Sequence, residues 1–102
     1  MNETGKLIID HNREGQGTII LTISGDLDVK TAPQLKKFIE SVIKEGDINL
    51  KLDLSRLSYL DSSGYGVLVD ATRRTKAIKG SLDLSNMPPW MTEFFDMSAL
   101  EP

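Results

Sequence analysis

The segment Tyr59-Leu60-Asp61-Ser62-Ser63-Gly64-Tyr65-Gly66 places a carboxylate and two hydroxyls where a buried strand gives way to a helix. Asp61 or Ser62 can serve as the helix N-cap by accepting a free first-turn N–H, and Gly64 and Gly66 let helix and sheet approach closely. The same end of a helix carries unpaired amides and a partial positive charge, which favours a nearby anion by about 0.3 to 2 kcal/mol. A phosphate on Ser62 is therefore compatible with the fold. A second candidate is Gly25-Asp26-Leu27-Asp28, ahead of another predicted helix. Its acids suit a turn and a helix N-terminus. They also fall at the kind of strand-to-helix edge where parallel sheets bind ligands and partners, so the two loops are expected to share one surface.

Other chemistries fit less well. Ser62 with Asp61 and His11 has the residue types of a nucleophile, base and orienter, but lacks the Gly-x-Ser-x-Gly elbow, and His11 falls at the exposed end of a short strand. Asp53, with Asp26 and Asp28 as metal ligands, would make an aspartyl phosphoryl acceptor; yet Asp53 alternates away from the Leu50, Leu52, Leu54 face and reads as a strand cap. Gly64-Tyr65-Gly66 lacks the third glycine and the lysine of nucleotide-binding loops. No metal or cofactor is expected, and the protein reads as a non-enzyme.

Composition narrows the field further. The chain has 102 residues, no cysteine and one histidine, which removes disulfides, thiol nucleophiles, thiolate zinc sites and paired-histidine sites. The net charge of −3 is evenly spread, so no basic stripe for nucleic acid is present. Arg73, Arg74, Lys76 and Lys79 suit the C-terminal end of a helix instead. No run approaches the ~20 apolar residues of a membrane span, and the N-terminus lacks a secretory pattern, so a cytoplasmic location is expected.

The elements that position these residues follow from the apolar spacing. Leu7-Ile8-Ile9 reads as a short strand, and Thr18 to Ile23, stopped by Ser24-Gly25, as its hairpin partner. Ala32, Leu35, Phe38, Ile39, Val42 and Ile43 predict a helix with Thr31 as N-cap, Pro33 in the first turn and Gly46 as the stop. Ile48, Leu50, Leu52 and Leu54 alternate as a strand with one buried face. A second helix is predicted from Ser63 to Ile78, ended by Gly80. Leu82 and Leu84 then form a strand, and Asn86 caps a third helix beginning at Pro88-Pro89. Met87, Trp90, Met91, Phe94, Phe95 and Met97 are expected to be mostly core, though they exceed one helix stripe. The order β-β-α-β-α-β-α predicts a single α/β domain over residues 1–102, with an antiparallel first pair, parallel crossovers and a mixed sheet of four or five strands.

Gly25-Asp26-Leu27-Asp28 ahead of Thr31-Ala32, together with Leu52-Asp53-Leu54-Ser55 leading through Leu60-Asp61-Ser62-Ser63-Gly64-Tyr65-Gly66-Val67-Leu68, resembles the STAS domain family. Within it the chain is similar to the small bacterial anti-sigma factor antagonists, from about residue 7 to residue 100. The resemblance implies a partner that is both an anti-sigma factor and a serine kinase, release on phosphorylation of Ser62, and a serine phosphatase that reverses it. Asp61 matches the acid before that serine, Ser63 and Gly64 the rest of the motif, and Asp28 the interface acid of the earlier loop; Asp26 joins them as a partner-binding residue. The family also contains constitutive scaffolds of sensory or transport complexes, which is the alternative reading. Members continue with a further short strand and helix, so this chain reads as one strand and one helix short, and a homodimer is compatible with it.

Overall fold

Four strands lie in chain order in one mixed sheet of the computed structural model, which describes residues 5–94: β1 (Leu7–Arg13), β2 (Thr18–Leu27), β3 (Asn49–Leu60) and β4 (Ser81–Ser85). β1 and β2 are antiparallel, whereas β2, β3 and β4 are parallel and joined through α1 (Ala32–Lys44) and α2 (Ser62–Ala77). A short α3 (Pro89–Phe94) follows β4. This is the predicted order, with four strands among the described residues.

The core is where the alternation pointed. Ile19, Leu21 and Ile23 of β2 and Leu50, Leu52 and Leu54 of β3 are fully buried, facing Leu35 and Ile39 of α1 and Leu68 of α2 within one cluster. Each such side chain contributes roughly 1.5 to 3 kcal/mol of transfer free energy. Met91 of α3 is also fully buried and Trp90 half-buried, but Met87 is exposed. Phe95 and Met97, and the Phe94 side chain, lie outside the described residues.

Two strands run beyond their predicted ends for one shared reason. β3 continues to Leu60 because two register shifts insert extra residues against β2, between the partners of Thr22 and Ser24 and again between those of Gly25 and Asp26. Each bulge resets the inside–outside alternation, so Leu54, Leu57 and Leu60, three apart, all point inward. β2 thereby keeps a partner past Ser24-Gly25 and reaches Leu27. Gly25 does not stop the strand: its φ of 99° and the close passage of the Lys6 carbonyl exclude a side chain there. β1 likewise extends to Arg13, so His11 lies within it, its ring 5.4 Å from that of Phe38.

Helix ends differ from expectation in mechanism more than in place. Thr31 precedes α1 but makes no side-chain cap; the Asp28 carbonyl accepts from Ala32 N at 2.7 Å, and its carboxylate from Thr31 N at 3.0 Å. The Thr31 hydroxyl instead donates to the Asp26 carbonyl at 2.7 Å and accepts from Asp28 N at 2.9 Å, bracing the loop. Gly46 ends α1 as predicted, in a Schellman pair with Asp47 N bonded to the Val42 carbonyl. After α2 the left-handed residue is Lys79, with φ 64°, not Gly80. Gly80 is needed because a Cβ would strike the Ile48 carbonyl. Asn86 does not cap α3; it turns at φ 55° and donates its side-chain amide to Asp53 at 3.1 Å.

Candidate functional site

Because β2 and β3 are parallel neighbours, their C-terminal ends emerge together, Leu27 opposite Leu60. The loops that leave them are therefore adjacent. Asp26, Asp28, Val29, Lys30, Tyr59 and Asp61 line one open groove of about 360 Å³. The single surface expected from the two acidic loops exists.

Asp61 joins the loops. It is the N-cap of α2, with one carboxylate oxygen accepting from Gly64 N at 3.1 Å and the other from Val29 N, in the β2–α1 loop, at 3.2 Å. With both oxygens on backbone amides, this carboxylate is a clamp and not a base for Ser62. Gly64 sits beneath it against Leu27 and Leu60, where a Cβ would lie 2.5 Å from the Leu27 carbonyl oxygen. Gly66, in contrast, faces open space, so the close packing expected of both glycines belongs to Gly64 alone.

Ser62 is the first residue of α2 and is exposed; its hydroxyl makes no hydrogen bond among the described residues. Ser63 is half-buried, and Gly64 fully so. Between the two serines, Ser62 is the one presented to an incoming reagent. The carboxylate of Asp28 is held by the amides of Lys30 and Thr31, and that of Asp26 by Gly5 N at 2.9 Å. The site thus concentrates three carboxylates held mainly by main-chain amides, with the Thr31 hydroxyl also 3.2 Å from that of Asp28.

Two residues of this surface have no polar signature in the sequence. Val29 is 66% exposed and Tyr59 51% exposed, beside the acids. The only hint is positional and concerns Val29, which stands alone in a polar loop; Tyr59 points out because the bulges of β3 turn Leu60 inward.

The competing constellations are not assembled. His11 is opposite Leu21, whereas Ser62 follows Leu60, which is opposite Leu27; six strand residues separate the two levels, roughly 20 Å. Asp53 lies opposite Thr22, far below Asp26, which is opposite Tyr59. Its carboxylate accepts from Ser55 N at 3.0 Å and from Asn86, and these hydrogen bonds, that of Ser55 foremost, hold its pKa below the ordinary value. Asp53 organises the outer face of the sheet. Of the basic group, Arg74 pairs with Glu40 at 2.7 Å, tying α2 to α1.

Known proteins share this fold. The sequence profile described as Mlab, STAS domain matches residues 11–102. The chain belongs to the STAS domain family. Over 89 residues this STAS domain is 32% identical to the anti-sigma-B factor antagonist of Bacillus subtilis (strain 168), covering 87% of this chain and 81% of that protein. It is 31% identical over 86 residues to the anti-sigma F factor antagonist of Lysinibacillus sphaericus, covering 83% and 74%. Among solved structures, the anti-sigma factor antagonist SpoIIAA in its unphosphorylated form superposes with a TM-score of 0.75 at 26% identity, over 89% of this chain and 84% of that one. The phosphorylated form of the Bacillus cell fate determinant SpoIIAA superposes with 0.76 at 26% identity, over 91% and 85%. Both forms share the fold of this STAS domain. Among the described residues, no helix is long and apolar enough to cross a membrane.

Proposed function

We propose that this STAS domain is an anti-sigma factor antagonist, which binds an anti-sigma factor with serine kinase activity and is released when that kinase phosphorylates Ser62. The observation that carries the reading is the exposed Ser62 hydroxyl at the first position of α2, next to the groove lined by Asp26, Asp28, Val29, Tyr59 and Asp61. The names of the relatives above support the class of partner.

In the transfer, the Ser62 Oγ forms a bond to the γ-phosphorus of ATP. The bond from that phosphorus to the β,γ-bridging oxygen breaks, ADP leaves with the electron pair, and the hydroxyl proton passes to a base of the kinase. The product carries about −1.5 to −2 charges. The start of α2 tolerates them, but a partner surface already packed against three carboxylates does not. Two unit charges 4 Å apart at an effective dielectric near 20 interact by about 4 kcal/mol, so a fraction of one such contact changes affinity tenfold. Release is then local electrostatics on an unchanged fold, in a chain acting by binding and not by catalysis, in the cytoplasm, with a serine phosphatase restoring the binding form.

A pull-down from source cells, with and without phosphatase treatment, tests this. Recovery of a serine kinase by the unphosphorylated form alone is the expected result, with mass spectrometry placing phosphate on Ser62. Phosphate solely on Ser63 would refute the assignment, and equal recovery by both forms would mark a constitutive scaffold.

A further inference from the structure

Gly66 is the one glycine within α2 whose missing side chain the fold does not use. It is exposed, and a Cβ there meets nothing within 4 Å beyond its chain neighbours and the backbone of its own helix, whereas at Gly64 a Cβ would strike Leu27 and Leu60. Glycine in a helix interior is less stable than alanine, so this position gives up helix stability with no packing return inside the chain. What benefits must lie outside.

The geometry of α2 shows where. Its buried stripe is Gly64, Leu68, Ala71, Thr72 and Thr75, and Ser62 and Gly66, four apart, lie on the opposite face. Helical side chains lean toward the N-terminus and cover the turn before their own Cα. A side chain at position 66 would therefore lie over Ser62. We infer that Gly66 is an access determinant: by leaving the turn above Ser62 bare, it admits the active site of the phosphorylating kinase to the hydroxyl. This rests on the function proposed above and adds to it a residue that never touches phosphate. Phosphoryl transfer needs the attacking oxygen in line with the γ-phosphorus at about 3 to 3.5 Å, which leaves no room for an intervening side chain.

The test uses the full chain, [γ-32P]ATP, and the anti-sigma factor kinase purified on the tagged wild-type chain from source cells. Gly66→Ala and Gly66→Leu are both expected to melt above wild type. Labelling of Ser62 should fall severalfold for Gly66→Ala and at least tenfold for Gly66→Leu. A purely structural glycine gives the reverse pattern, lower melting with unaltered labelling of the folded protein, and overturns the inference. So does labelling of folded Gly66→Leu at the wild-type rate. If the wild-type chain itself is not labelled, the proposed function fails, and this inference with it; labelling of wild type and Gly66→Leu alike removes the inference alone.

Discussion

The two ends of the sheet satisfy their charges in opposite ways. At the end where β1 finishes and β3 begins, carboxylates meet cations: Arg13 reaches Asp47 and Glu45, each at 2.8 Å, and Lys51 reaches Glu14 at 2.7 Å. The Asp47 side chain is only 6% exposed, and the guanidinium makes that burial tolerable. At the other end Asp26, Asp28 and Asp61 are held by the amides of Gly5, Lys30, Thr31, Val29 and Gly64. An amide fixes a carboxylate without cancelling its charge. One end is thereby a closed structural seam, and the other keeps negative charge in fixed positions along the groove that ends at the start of α2.

The largest effect that would break this contrast is at Gly64. Adding a Cβ against Leu27 should lower stability by roughly 3 kcal/mol, on the scale of core overpacking, with a correspondingly large fall in melting temperature. A thermal melt of Gly64→Ala unchanged from wild type would show that the loops are not locked together as described. Next comes Ser62. Ser62→Asp is expected to weaken the complex at least tenfold, and Ser62→Ala to leave both folding and binding intact, as read by co-purification of the partner from cells expressing each variant.

Tyr59→Ala and Val29→Ala sharpen the comparison in a different way. Both side chains are largely exposed beside the acids, so stability should hold while partner affinity drops severalfold; titration calorimetry against the purified partner reads this directly. Asp61→Ala removes the cap of α2 and the link to Val29, with an expected loss of about 1 kcal/mol in urea unfolding.

The smallest effect belongs to Asp53. Its pKa is depressed in the folded state, so its contribution is complete above the unfolded carboxylate pKa and is lost as pH falls through the folded value. Asp53→Asn should therefore flatten the acid limb of stability below about pH 4, and leave stability at neutral pH slightly lower. Identical acid limbs for both proteins would show that the Ser55 and Asn86 hydrogen bonds do not favour the charged form.

How much of this was legible in the sequence depends on whether chemistry or register carries the information. The alternation of Leu50, Leu52 and Leu54 announced β3 and its buried face. Leu57 and Leu60 could not be assigned to it, because the bulges that bring them inward arise from pairing with β2, a non-local event. Ser62 and the acids were visible as residue types. Tyr59 and Val29 were not, since an aromatic or β-branched residue looks the same in a sequence whether it faces core or solvent. Thr31 shows a subtler loss: it precedes α1 as its spacing predicts, but the donors are taken by Asp28, as only the folded loop reveals. Gly64 and Gly66 look alike on paper and have opposite surroundings.

Main-chain amides, unlike a lysine or an arginine, are not removed by ordinary point substitution. Substitution at Val29 or Lys30 therefore leaves in place the amides that hold Asp61 and Asp28, whereas Gly64 is fixed by its packing and Thr31 by its hydroxyl contacts. The rim of the groove can thus change in shape and polarity while the carboxylates of Asp28 and Asp61 stay where their amide donors hold them.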